Sequence, residues 1–157
     1  ADHIASIAKK MYDDETVFSE TAMKEIYVTY ELVSRILEHT EEAFKKRSLE
    51  DAYQIEPLVL VANDLIDNIN GNHLKRLAKG ECSVMADANF ANLTSEIKRI
   101  ASVCSNVGTA AIVRVRPELA ASEHNYFEGL HEGKDEKFNK FYTRAYEEYF
   151  AKLQHDN

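Results

Sequence analysis

The sequence predicts an all-α protein: an antiparallel three-helix bundle with up-down-up topology, preceded by a short helical segment and followed by an aromatic-rich helix. Glycine and proline are scarce, with 5 and 2 residues in a chain of 157, which favours long helices over turn-rich sheets. Apolar residues recur three and four positions apart through three long segments, the spacing of one helix face. Because the connections between these segments are short, sequential helices become antiparallel neighbours.

The composition argues against nucleic acid as a partner and against a membrane-spanning segment within the given sequence. A net charge of −8 opposes approach to phosphate backbones, so no nucleic-acid partner is expected. The longest apolar run, 58–62, is far too short to span a membrane. The two cysteines, Cys82 and Cys104, lack C-x-x-C spacing, and we interpret them as reduced thiols in a cytosolic setting.

Two helices are predicted within the first 47 residues. The first covers residues 2–12, and the second extends from about residue 17 to residue 47. The apolar positions of the second helix form a continuous seam at Met23, Ile26, Tyr30, Val33, Leu37, Thr40 and Phe44. This repeat, about four heptads long, is typical of a bundle seam or of a coiled-coil seam.

The third predicted helix covers about residues 49–79. Ser48 with Asp51 has the pattern of an N-terminal capping box, and Gly80 is a natural C-terminal stop. Pro57 either starts the main helix or kinks it near residue 53. The predicted core face consists of Ile55, Val59, Ala62, Leu65, Ile69, His73 and Leu77.

The fourth predicted helix begins after Ser83 and ends before Pro117. Its apolar face is Phe90, Leu93, Ile97, Ile100, Cys104, Val107 and Ala111. A last helix, at about 135–154, is crowded with aromatic residues. We expect these rings to pack on the outside of the bundle; a ligand or partner surface is the less favoured alternative.

The chain contains a weak internal repeat. Residues 1–8, "ADHIASIA", align with residues 101–108, "ASVCSNVG", at an offset of 100 positions. The offset is close to the length of one three-helix unit. We therefore expect residues 1–13 to be the remnant of the last helix of a preceding bundle, 16–117 to form a complete bundle, and 118–157 to form a C-terminal tail.

Both copies of the repeat resemble the motif E-R-I-x-D-H-x-x-N-I-A, which PhoU-like domains carry on the third helix of each of their tandem three-helix bundles. Asp2 and His3 match the D-H pair of the motif. In "KRIASVCSNVGTA", Arg99 and Ile100 match R-I, and Asn106 matches the asparagine. These last three positions are interpreted as structural matches.

Two further stretches resemble the PhoU-like domains of bacterial sodium/phosphate cotransporters. They are "NHLKRLAKGECS" at 72–83 and the ending "YFEGLHEGKDEKFNKFYTRAYEEYFAK". The resemblance implies a non-enzymatic regulatory domain at the cytoplasmic face of the plasma membrane. Its implied partner is the membrane-spanning part of its own full-length chain, and the apolar face of residues 2–12 suggests a homodimer contact.

Two alternatives to this interpretation stay open. One is a free-standing PhoU-type regulator that binds a phosphate transporter or a sensor kinase. The other, less favoured, is a helical metalloenzyme with chemistry at a bound metal. The sequence contains neither a nucleophile–base motif nor a glycine-rich phosphate loop, the two patterns that would support the enzyme alternative.

In PhoU-like domains the E-x-x-x-D pair of each motif is implicated in binding multinuclear metal, since carboxylates four apart share a helix face. Here Lys98 and Ser102 replace both carboxylates, and an ammonium about 4 Å from a cation costs about 4 kcal/mol per unit of charge. We predict that the bundle at 16–117 has lost metal ligation and holds no cofactor. We expect Lys98 and Ser102 to form a solvated edge beside the core-facing residues of the helix; a ligand role is the less favoured alternative.

The first copy of the motif keeps its aspartate. Asp2 is a candidate ligand for a divalent metal or iron at the preceding bundle of an intact protein. Its glutamate partner would lie before residue 1. An N-terminal helix cap is an equally favoured role for Asp2, because a carboxylate stabilises a helix start.

Overall fold

The structure is a computed structural model that describes residues 2–122, 130 and 132–154, and all regular elements within them are helical. This confirms the all-α prediction. Each α-helix lies within one turn of the segment predicted for it. The elements are α1 (Asp2–Asp13), α2 (Glu20–Lys46), α3 (Leu49–Ala78), α4 (Val84–Val115), a 3₁₀-helix (Pro117–Ser122) and α5 (Glu136–Gln154).

Serine side chains define where the three long helices begin. The hydroxyls of Ser19, Ser48 and Ser83 each accept a hydrogen bond from the backbone N–H three residues later, at 3.1–3.2 Å. Such caps satisfy N–H groups that have no partner within the helix. α3 ends just before Gly80, whose φ of +71° suits a residue without a Cβ. Pro57 lies inside α3, which continues through it.

α2 and α3 pack along their lengths and run in opposite directions. At one end, Arg76 near the end of α3 binds Glu25 near the start of α2, with N–O distances of 2.5 and 3.1 Å. At the other end, His39 Nδ1 lies 2.8 Å from Asp51 Oδ1. These two contacts fix the register of the pair at both ends.

α3 and α4 also run in opposite directions. Lys98 of α4 contacts Asp67 of α3, and Ser105, two turns further along α4, donates a hydrogen bond to Glu56, earlier in α3. α2 packs against α4 as well. Fully buried side chains from all three helices meet in the centre, including Leu32, Ile36, Ile55, Leu65, Ala101 and Cys104.

α5 lies outside these three helices, against α3 and α2. Ala145 and Tyr149 are its buried residues on this core. Tyr142 donates a 2.6 Å hydrogen bond to Asp64 of α3, and Lys152 pairs with Glu31 of α2 at 2.9 Å. α5 therefore covers the groove between α2 and α3.

α1 lies along the first half of α4. His3 Nδ1 is 3.6 Å from Glu96, and the Asn89 amide donates to Thr16 and Asp14, just after α1, at 2.7 and 3.3 Å. α1 and α4 therefore run in opposite directions. None of the described helices is both long and apolar enough to cross a membrane.

The structure corrects the prediction for the core face of α2. Of the seven seam residues, only Val33 is buried, whereas Met23, Tyr30, Leu37 and Phe44 are exposed. The face that packs into the protein is offset around the helix and carries small and polar residues among its apolar ones. Its buried residues are Ala22, Glu25, Val28, Thr29, Leu32, Val33, Ile36 and Ala43.

Candidate functional site

The basic motif residues of α4 are engaged in ion pairs. Lys98 Nζ lies 3.0 Å from Asp67 Oδ1, and both side chains are solvent-accessible. Arg99 binds Glu96 on its own helix, with its closest N–O distance at 2.8 Å. The position where the motif would place its glutamate thus carries a cation that is already paired with a neighbouring carboxylate.

The remaining motif residues occupy three different settings. Ser102 and Asn106 are exposed, and Asn106 lines a surface groove described below. Ile100 is half-buried and packs against the core clusters of α2, α3 and α4. The Asp2 side chain lies outside the described residues, so its predicted role stays a prediction.

Three carboxylates of α3 accept hydrogen bonds from side chains of α4 and α5. Asp67 binds Lys98, Glu56 accepts from Ser105, and Asp64 accepts from Tyr142. Burial, together with the Asp64 carboxylate, raises the pKa of Tyr142 to about 12. No group of three His, Cys, Asp or Glu side chains that could hold a metal occurs among residues 2–122, 130 and 132–154. The predicted loss of ligation at Lys98 and Ser102 stays a prediction.

The exposed side of α2 carries an apolar stripe that repeats every seven residues. This α2 stripe consists of Met23, Tyr30, Leu37 and Phe44, and the last two are 47% and 64% exposed. From Met23 to Phe44 the stripe spans 22 residues, or about 30 Å at 1.5 Å per residue. Tyr27 extends it, with its ring 6.3 Å from that of Tyr30. Heptad spacing of this kind is the signature of a helix that packs against another helix.

The C-terminal halves of α2 and α4 form a shallow groove beside this stripe. The α2–α4 groove has a volume of about 290 Å³. Its apolar walls are Ala43, Phe44, Val103, Val107, Ala110 and Ala111. Val103, the first α4 residue along the groove, is exposed. An exposed apolar surface of this form is typical of a site that packs against a partner.

Two arginines line the far end of the α2–α4 groove. Arg47 follows α2, Arg114 belongs to the last turn of α4, and both are exposed. Neither guanidinium makes an ion pair with a carboxylate in the described part of the chain. The groove therefore combines apolar walls with two cations that can pair with an acidic group.

A second polar cluster is buried where the start of α2 meets the end of α3. Glu25 is 4% exposed and is bound by both terminal nitrogens of Arg76. Arg76 Nη2 also lies 3.1 Å from His73 Nδ1. Because a guanidinium only donates hydrogen bonds, Nδ1 must be the acceptor, and the proton of the neutral imidazole is on Nε2.

His73 is held in its neutral form. Its ring is buried and stacks on Phe90, with the centroids 4.2 Å apart. Burial, and then the charge of Arg76, lower the pKa of His73. Cys82 Sγ lies 3.7 Å from Nε2. Since Nε2 already carries the proton, the imidazole cannot accept a proton from this thiol, as a catalytic Cys–His pair requires.

Neither the α2–α4 groove nor the Glu25–Arg76 pair was predicted from the sequence. The heptad repeat of the α2 stripe is visible in the sequence, but the repeat alone does not distinguish a face buried within the chain from an exposed one. Glu25 gives a weaker signal, since it falls on the same helix face as Ala22 and Thr29. A glutamate on such a face indicates that a cation from another helix lies opposite.

No protein-family model matches the chain, and no curated protein or solved structure matches it either. The likeness to PhoU-like domains therefore rests on the sequence stretches quoted above. What the structure adds is the position of those stretches: the motif helix is α4, and residues 72–83 include the turn between α3 and α4.

Proposed function

We propose that this chain is the cytosolic PhoU-like regulatory domain of a sodium-dependent phosphate cotransporter. In this proposal α2, α3 and α4 form the up-down-up bundle of a PhoU-like domain, and the chain performs no catalysis. It modulates phosphate transport through helix–helix contacts with the membrane-spanning part of its transporter. The proposal is supported by the motif on α4 and by the antiparallel contacts of α2 with α3 and of α3 with α4.

The α2 stripe is the observation that carries the regulatory part of the proposal. A domain that acts through helix–helix contacts needs an apolar helix face that its own fold leaves uncovered. Leu37 and Phe44 form such a face beside the α2–α4 groove. A regulatory domain shifts a transporter between conformations only if its contacts with the transporter differ between those conformations. The exposed α2 stripe can make such contacts.

Phosphate uptake in the native cell tests this proposal. The double substitution Leu37→Glu and Phe44→Glu is introduced into the chromosomal gene, so that the protein is studied at its full natural length. The initial rate of radiolabelled phosphate uptake is measured in sodium medium and in choline medium. A regulatory coupling of 1 kcal/mol or more should change the sodium-dependent rate by at least about fivefold.

A matched control is available on another helix. Leu74 of α3 is 57% exposed, so Leu74→Glu adds a charge to an apolar surface position away from the stripe. It should leave uptake unchanged. If the stripe variant changes only the sodium-independent uptake, the result favours a free-standing regulator over a cotransporter domain. If neither component changes, both forms of the proposal are wrong.

A further inference from the structure

The α2–α4 groove has apolar side chains of a helix on both sides. Its α2 side is Ala43 and Phe44, and Phe44 is also the last residue of the α2 stripe, which continues along α2 for about 30 Å. Its α4 side presents Val103, Val107 and Ala110, which are four and three residues apart. Apolar side chains on both flanks at these spacings match the holes into which a third helix inserts its own apolar residues.

The charges around the groove specify what that helix carries. The chain as a whole has a net charge of −8, yet the groove ends in two guanidiniums, Arg47 and Arg114, that make no ion pair within residues 2–122, 130 and 132–154. Three carboxylates close to these arginines in sequence are paired with other cations: Glu41 with Lys45, Glu42 with Lys46, and Glu118 with Arg116. The positive charge at this end therefore has no partner among the described residues, and an acidic group would complement it.

We propose that the α2–α4 groove binds an amphipathic helix of a partner protein, with apolar residues three and four apart and acidic residues at one end. The apolar residues pack on Leu37, Phe44 and Val103, and the acidic end pairs with Arg47 and Arg114. This inference deepens the proposed function, since it names the chemistry of the partner for the same face. The apolar contacts supply most of the affinity, and the arginines set the orientation and selectivity.

A displayed library of helices tests the inference without knowledge of the natural partner. Each member is a 21-residue helix with fixed leucines at heptad positions, and its other surface positions encode glutamate or lysine with equal frequency. Selection on the purified chain should enrich glutamate at one end of the helix. Selection on a variant with Arg47→Glu and Arg114→Glu should enrich lysine at the same end.

Two measurements make the outcome decisive. In fluorescence anisotropy at low salt, a selected acidic helix should bind the wild type about fivefold more tightly than its lysine counterpart, as expected for two exposed ion pairs. Phe44→Glu should weaken binding about thirtyfold, as expected for the loss of an apolar anchor. Leu74→Glu should leave binding unchanged, and circular dichroism should show that every variant is folded.

Several outcomes would overturn the inference. Equal enrichment of glutamate and lysine would show that the groove does not select an acidic helix. Selected helices that still bind the Phe44→Glu variant would show that the groove is not their binding site. A dimer in sedimentation that Leu37→Glu dissociates would assign the face to a second copy of the chain. Because these assays contain no transporter, an effect on binding without an effect on phosphate uptake would refute the proposed function alone.

Discussion

The two grooves that flank α2 differ in what covers them. Between α2 and α3, α5 fills the groove, and Tyr149 is only 3% exposed. Between α2 and α4, the described residues leave Phe44 and Val103 open to solvent in the C-terminal half. Aromatic and aliphatic side chains line both grooves. What makes one groove part of the core and the other part of the surface is therefore the presence of a helix, not the local sequence.

Polar contacts show the same contrast. The edges of α5 are joined to the bundle by Tyr142–Asp64, Arg35–Glu148 and Lys152–Glu31 contacts of 2.6–3.1 Å. At the end of the α2–α4 groove, Arg47 and Arg114 find no such partner in the part of the chain that the structure describes. A closed groove has its charges matched, whereas the open groove presents both its apolar and its charged groups to a partner.

The largest expected difference between the two grooves is in folding stability. Tyr149→Ala removes a buried ring from the covered groove and should lower the free energy of unfolding by about 3 kcal/mol. Phe44→Ala removes a ring from the open groove and should change it by less than about 0.5 kcal/mol. Urea unfolding followed by circular dichroism measures both values. Comparable losses for the two variants would mean that Phe44 is buried in solution.

A second, smaller contrast compares two glycines inside helices. Gly108 of α4 faces α3, and an added Cβ would lie 2.9 Å from Ile55 Cδ1 and 3.2 Å from Ile55 Cβ. An added Cβ at Gly71 of α3 would meet no atom within 4 Å. Gly71→Ala should therefore stabilise the protein by about 1 kcal/mol, the gain in helix propensity. Gly108→Ala should destabilise it by about 1 kcal/mol, because overpacking outweighs that gain.

Thermal and urea unfolding of the two glycine variants give the test. The signs matter more than the magnitudes, since both substitutions bring the same change in propensity. Stabilisation by Gly108→Ala would show that α3 and α4 separate more easily than their packing suggests. If α3 and α4 are packed closely, adding Ile55→Val to Gly108→Ala should recover part of the lost stability, because the valine lacks the methyl group nearest to the added Cβ. If they separate easily, adding Ile55→Val should give no gain in stability over Gly108→Ala alone.

The sequence predicts the helices of this protein well, for reasons that are local. Serine caps and Gly80 mark helix ends, and those signals depend on only a few neighbouring residues. The core face of α3 was also predictable: Ile55, Val59 and Leu65 are buried as expected. α3 contacts α2, α4 and α5, so the apolar residues on its predicted face meet a neighbouring helix.

α2 shows where that reasoning fails. Its strongest apolar periodicity belongs to the α2 stripe, whereas its buried face includes Glu25 and Thr29. Periodicity identifies a face that avoids water in some state, but it does not say which neighbour covers that face. The cation that neutralises Glu25 is Arg76, 51 residues away, and no spacing rule links positions so distant. The two arginines of the groove were missed for the same reason.

The smallest expected effect concerns the pH dependence of stability at His73. Burial and Arg76 lower the pKa of His73 in the folded chain, although Asp87 and Glu25 partly oppose this. As the pH falls below the ordinary value of 6.5, the unfolded chain binds a proton at this residue while the folded chain does not. Stability contributed by neutral His73 is therefore full above pH 6.5 and is lost as the pH falls toward the lowered folded pKa.

The substitution His73→Gln should flatten this pH dependence, because glutamine does not titrate and its amide oxygen can still accept a hydrogen bond from Arg76. Free energies of unfolding of both proteins are measured by urea titration at several pH values below neutrality. If His73→Gln keeps the full slope, the proton that destabilises the protein binds elsewhere. The neutral His73 inferred from the Arg76 contact would then not be the source of the sensitivity to acid.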